Sequence, residues 1–211
     1  MIDTPSRDAA FNALRAVHPD WTLLELTTVL GGKATEAEIL DRRDLNAAEE
    51  VLRKTKRAAW PSPDIVWDLE PLNFHRSMDG MSAAEFATEF GDLETLWVEV
   101  DDLEAAFAPA AKRTGGPFDR PYLTKTRRLI AHLQRGGEVS PPLLHVQSGL
   151  AGLALAGGYH RTHWARHTGA GAIPVLVRKV HLDVVLSKIT PTENVRPTGG
   201  LRGVDQGYRS D

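Results

Sequence analysis

The chain has 211 residues, 42% of them hydrophobic and 25% charged, with a formal net charge of -3, enough apolar content for one domain with a substantial extension or for two small domains. Cysteine is absent, which excludes disulfides, thiolate nucleophiles and cysteine-held zinc or iron–sulfur centres. No run approaches the ~18 apolar residues of a membrane span, and the opening MIDTPSRDAA lacks the basic-then-apolar order of a signal peptide, so the expectation is a cytoplasmic protein with no membrane partner.

The charge is unevenly spread. Residues 1–91 hold 16 acidic and 10 basic side chains, residues 92–190 hold 9 and 12, and the last 21 hold 3 of each. Six of the eight histidines also fall in the middle block. The basic block suits phosphates, and the acidic block suits a protein partner or a cover for the site.

In chain order, Thr4-Pro5 opens a helix carrying Phe11, Leu14 and Val17, stopped at His18-Pro19. Asp20 is a cap for a second helix running to Leu30 before Gly31-Gly32. Thr35 and Glu38 form a capping-box pattern that opens a long third helix, expected to bury Ile39, Leu40, Ala47, Ala48, Val51 and Leu52. After Trp60-Pro61-Ser62-Pro63, the alternation from Asp64 to Leu69 predicts a short strand, and Ser82 with Glu85 opens another helix carrying Phe86 and Phe90.

From Leu93 the pattern changes. Leu96–Val100 reads as a strand, followed by Asp101, Asp102 and Glu104 on an Ala-rich turn or helix. After Gly115-Gly116, Asp119 and Pro121 introduce a helix with Tyr122, Thr126, Leu129, Ile130 and Leu133 on its apolar side. Pro141-Pro142 opens a strand from Leu143 to Val146, and Ser148-Gly149 turns a hairpin into a strand from Leu153 to Ala156. Gly157-Gly158 then leads into a helix on Tyr159-His160-Arg161, and Ile173–Val177 is the closing strand. The predicted organisation is a mostly helical region (1–91), an α/β (α+β) core with a mixed sheet (92–190), and a tail (191–211) rich in Pro, Gly and charge.

The order of helix, "PPLLHV", strand, "GGYHR", helix and "IPVLV" resembles the core of the ParB/sulfiredoxin-like superfamily, over roughly residues 93–182. The resemblance implies a glycine-basic loop and helix start that hold nucleotide phosphates, here Gly157, Gly158, Tyr159, His160, Arg161 and Thr162, with ATP or another nucleotide and Mg²⁺ as the cofactor. Sulfiredoxins carry a catalytic cysteine where this chain has Tyr159, so sulfinic acid reduction is excluded. The partitioning members continue into a helix-turn-helix, whereas this chain has only a short stretch after Ile189. What remains resembles single-core relatives: small-molecule kinases, ATPases with nuclease activity, and plasmid fertility-inhibition proteins that interfere with DNA transfer.

Three functional readings stay open on these residues. The first is a Mg-dependent ATPase, with DNase activity, that uses Arg161, His160, Glu99 and Asp102. The second is a non-catalytic protein that senses a nucleotide or contacts protein or DNA. The third is a small-molecule kinase. Arg161 is the phosphate ligand of first choice, because a guanidinium fork matches phosphate oxygens and a helix start favours anions; His160 is a donor or a proton shuttle near neutral pH. His160, His163 and His167 share a helical face but lack the glutamate of a zinc-protease motif, so no histidine metal site is expected. Magnesium on nucleotide phosphates with Asp101 or Asp102 is the better fit. Arg120, Lys125, Arg127 and Arg128 give a helix able to touch a nucleic-acid backbone.

Overall fold

The computed structural model describes residues 4–113, 115–146 and 152–192. The chain divides into two compact units, Met1–Lys54 and Thr55–Asp211.

The first unit consists of α1 (Thr4–Val17), α2 (Leu23–Leu30) and α3 (Glu36–Lys54). The cap of α2 is Thr22 rather than Asp20. Thr22 and Glu25 exchange the two bonds of a capping box, with Thr22 N donating to Glu25 Oε2 at 2.7 Å and Glu25 N to Thr22 Oγ1 at 3.3 Å. Asp20 instead meets Arg43 of α3, which also reaches Glu25 at 3.1 Å. The expected Thr35–Glu38 box is present at the start of α3. Leu14, Trp21, Leu26 and Ile39 form the core of this unit, and His18 stacks on Trp21 at 3.9 Å while bonding Glu36 at 2.8 Å. The buried side of α3 is Ile39, Leu45 and Leu52, and Leu40 and Val51 are 45% and 64% exposed. Ile39 sets this phase by entering the Leu14–Trp21 cluster, which rotates Leu40 away by about 100°.

The second unit is built on a four-stranded mixed sheet, β1 (Leu93–Glu99), β2 (Leu143–His145), β3 (Ala154–Gly157) and β4 (Ala172–Arg178), in the order β1-β4-β2-β3. β1 runs antiparallel to β4, β4 parallel to β2, and β2 antiparallel to β3. The α+β expectation holds. The turn expected at Ser148-Gly149 and the tail from residue 193 lie outside the described residues.

β4 is buried along Ile173–Val177 on both faces, so the sheet is covered from both sides, which is what an apolar run without alternation requires. Leu176 and Leu143 pack with Phe74 and Phe86, the latter from α4 (Ala83–Phe90), which carries the expected Ser82–Glu85 capping box. The remaining α-helices among the described residues are α5 (Val100–Ala106), α6 (Leu123–Gln134), α7 (Tyr159–His167) and α8 (Leu182–Leu186).

Residues 64–69 do not form the predicted strand. Their pairing is a single parallel bridge, Trp67 to Val139, with Asp68 N donating to Val139 O at 2.9 Å and Val139 N to Val66 O at 3.0 Å. The partner stretch lies between Gly137 and Pro141, too short for a ladder. Residues 55–91, read from sequence with the helical first region, belong to the same compact unit as the sheet. Trp164 of α7, 1% exposed, donates Nε1–H to Pro63 O at 2.9 Å and fastens this stretch to the core.

Candidate functional site

The glycines between β3 and α7 are needed for packing of the chain against itself. A Cβ on Gly157 would overlap Ser77 O and lie 2.9 Å from Met78 Sδ, and one on Gly158 would lie 2.6 Å from Pro142 Cα. Gly158 also has φ 93°, a left-handed conformation that suits glycine. The space on the side-chain side of these residues is filled by the segments leading to α4 and β2, so internal packing by itself requires glycine at both positions.

Arg161 is likewise engaged within the protein. Its Nη1 donates to Ser140 O at 2.5 Å, and its Nη2 donates to Arg76 O at 3.0 Å and Ser77 O at 3.4 Å. Burial lowers its pKa, opposed by the field of Asp79, yet a guanidinium stays charged. With both terminal nitrogens on carbonyls, Arg161 ties α7 to the segments at Ser140 and at Arg76–Ser77, a structural role that engages the donors the resemblance assigns to a phosphate. His160 sits edge-on to Tyr122 at 5.7 Å. Burial, with the nearby charges of Lys125 and Arg113, lowers its pKa to about 4. It is therefore neutral near pH 7, and the expected proton shuttle at neutral pH is not what this environment makes.

A cleft lies on the opposite face of α7, between α5, the segment after it, β3 and the first turns of α7. It encloses about 350 Å³ and is lined by Asp101, Glu104, Lys112, Arg113, Tyr159 and Thr162, with His163 and Arg166 further along α7. Two of its arginines differ in what occupies them. Arg166 is ion-paired with Glu104 at 2.6 Å. Arg113 lies over the Tyr159 ring, 3.8 Å from its centroid, and 6.0 Å from that of Tyr122. Among the described residues no hydrogen bond or ion pair engages the side chain of Arg113 or Lys112. Thr162 is 1% exposed and returns its hydroxyl to Gly158 O at 3.2 Å. His163 meets Tyr122 edge-on at 5.6 Å, its buried Nδ1 has no hydrogen-bond partner, and burial lowers its pKa against the opposing field of Glu104.

The cleft brings together Tyr159, Thr162 and Asp101 of the expected residues and leaves the others outside. Glu99 stands at the N-cap of α5 without a side-chain capping bond, and Asp102 is exposed on α5 away from the cleft lining. Lys125 is paired with Asp79 at 2.6 Å, a bond that lowers the Asp79 pKa. Arg127 lies about 200° around α6 from Lys125, half-buried, whereas Arg120 and Arg128 are exposed, so these four residues do not make one basic stripe. Among the described residues no group of three or more His, Asp or Glu could hold a metal ion; His167 packs against Phe118 at 4.9 Å instead. Lys112 and Arg113 were missed by sequence reasoning. Their one sequence signal is a cationic pair just before the Gly115-Gly116 break, and nothing local ties it to Tyr159.

No protein-family model and no curated protein matches the chain. Among solved structures, the chain has a distant likeness to the crystal structure of Oncogenic Suppression Activity Protein, a plasmid fertility inhibition factor, as its gold(I) cyanide derivative. The TM-score is 0.37 at 15% identity, over 69% of this chain and 84% of that one. Among the described residues no helix is long and apolar enough to cross a membrane.

Proposed function

We propose that this protein binds a phosphate-bearing small molecule of nucleotide size in the α5–α7 cleft, and acts as a binding protein that responds to it. One observation carries this reading: Arg113 lines a cavity of nucleotide-compatible size with its guanidinium edge unengaged among the described residues. A guanidinium in that condition offers in-plane donors to an oxyanion. Lys112 on the same wall and the start of α7 add positive potential. The acids favoured for catalysis, Glu99 and Asp102, are not in this cleft, which is why binding is preferred to hydrolysis.

A second reading rests on Asp101, whose place in the same lining would suit a carboxylate facing Mg²⁺ on nucleotide phosphates. In that reading the protein is a Mg-dependent nucleotidase or nuclease. Isothermal titration with ATP, with and without Mg²⁺, tests binding in wild type, Arg113→Ala and Arg161→Ala. The binding reading expects affinity lost in Arg113→Ala and kept in folded Arg161→Ala; an unchanged affinity in Arg113→Ala ends it. ATP turnover by wild type that disappears in Asp101→Asn would favour the hydrolase. The biological setting we propose, on the motif resemblance, is interference with plasmid DNA transfer, tested by mating frequency in cells that carry wild type or Arg113→Ala.

A further inference from the structure

We propose that Tyr159 is the positioning residue of this cleft: its ring fixes the plane of Arg113 so that the guanidinium edge points at the ligand's oxyanion. This rests on the binding reading above. The contact is close, 3.8 Å from Arg113 Cζ to the ring centroid, and both residues line the same cavity.

The means of holding an arginine decides what it has left to offer. Arg161 is held by carbonyls and Arg166 by a carboxylate, so each spends N–H donors on its own support. A ring face holds a guanidinium through its π-surface and consumes none of the donors, which lie in the plane. Stacking therefore orders a cation while leaving its fork free, and an ordered fork loses less entropy when the ligand arrives. The ring is in turn placed by its position in the first turn of α7, and its hydroxyl lies 3.5 Å from Ala111 O, too long for a strong hydrogen bond. Ala111 lies two residues before Arg113, so one side chain touches both the guanidinium and the segment that carries it.

The test is ATP affinity of the full chain at low and moderate salt, with folding of each variant checked by circular dichroism. Tyr159→Phe keeps the ring and is expected to bind within about twofold of wild type. Tyr159→Leu removes the ring and is expected to weaken binding by about five- to twentyfold, in the range of a partly desolvated cation–π contact. The double variant Tyr159→Leu/Arg113→Ala is expected to bind no more weakly than Arg113→Ala alone, because the ring acts only through that arginine. Arg113→Lys leaves Tyr159 untouched and supplies a second measurement if Tyr159→Leu does not fold. It keeps the charge but not the planar fork, and is expected to fall close to Arg113→Ala. Arg113→Ala weakened with Tyr159→Leu at wild-type affinity, fully additive losses in the double variant, or Arg113→Lys binding like wild type would each overturn the positioning role. Arg113→Ala binding like wild type would instead overturn the binding reading itself.

Discussion

Arg161 is tied to Ser140: its Nη1 donates to the Ser140 carbonyl at 2.5 Å while Nη2 reaches the carbonyl of Arg76 at 3.0 Å. Three segments distant in sequence converge on one side chain, and removing it leaves the part-buried carbonyls of Ser140 and Ser77 without this donor. Arg161→Ala is expected to cost about 3 kcal/mol of stability, since hydrogen bonds to charged groups contribute about 1.5–3 kcal/mol each and the orphaned acceptors add to the loss. Arg161→Lys is expected to recover less than half of this, because one ammonium cannot span both carbonyls. Urea denaturation measures it. Wild-type stability in Arg161→Ala, or loss of ATP affinity in the still-folded protein, would return Arg161 to the ligand site.

The two glycines beside it obey the same logic. Gly158→Ala combines a left-handed φ of 93° with a Cβ 2.6 Å from Pro142 Cα, and is expected to cost about 2–4 kcal/mol. Gly157→Ala meets the Ser77 carbonyl, and about 1–3 kcal/mol is expected. If this loop served a ligand instead, Gly157→Ala would unfold at the wild-type urea midpoint and lose affinity only, while Gly158→Ala is strained by its φ in either case.

Much of the secondary structure was legible because it follows from local chemistry. The Thr35–Glu38 and Ser82–Glu85 boxes form as their spacing requires, and the apolar run Ile173–Val177 forms the expected closing strand within β4. Where the reading failed, the deciding contact was long-range. Leu40 and Val51 fit a helical period as well as Leu45 does, and only the docking of Ile39 into the Trp21 cluster chose between them. The glycine-basic loop was read as a place for a ligand because glycine, arginine and a helix start are the same in a phosphate loop and in a tight internal junction. The pattern cannot say whether Ser77 and Pro142 or a phosphate fills the gap. Arg113 was invisible for the converse reason, because its value comes from a ring contributed by α7.

The pH dependence of folding should carry the mark of His160. Its folded pKa is lowered from 6.5 to about 4, mainly by burial. For a base whose folded pKa is depressed, the unfolded chain binds more protons between the two values, so stability is present above the unfolded value and is lost as pH falls from about 6.5 toward 4. His163, shifted in the same direction, adds to that slope. Asp79, held below the usual carboxylate range by Lys125, contributes its loss at lower pH, as the solution passes through its folded pKa. Melting temperature followed from pH 7.5 to 4 should decline less in His160→Gln than in wild type. Superimposable profiles would mean that His160 is solvated in the folded state.

Glu104 and Arg166, 2.6 Å apart on α5 and α7, set two properties of the cleft against each other. The carboxylate holds Arg166 in place but puts a negative charge on the wall that an anion must approach. Replacing Glu104 with Gln removes that charge and releases a guanidinium already lining the cavity. ATP should then bind about three- to tenfold more tightly at low salt, and the gain should shrink as salt shortens the Debye length. Arg166→Gln should weaken ATP by a similar factor, since it leaves Glu104 unpaired in the same wall. Both variants lose the same bridge between helices, so both should be slightly destabilised, by about 1 kcal/mol or less for a partly exposed pair. Opposite signs in affinity with the same sign in stability is a pattern that a merely structural ion pair does not produce. If both variants shift stability and leave ATP affinity alone, the ligand does not reach this end of α7, and the site contracts to Lys112, Arg113 and Tyr159.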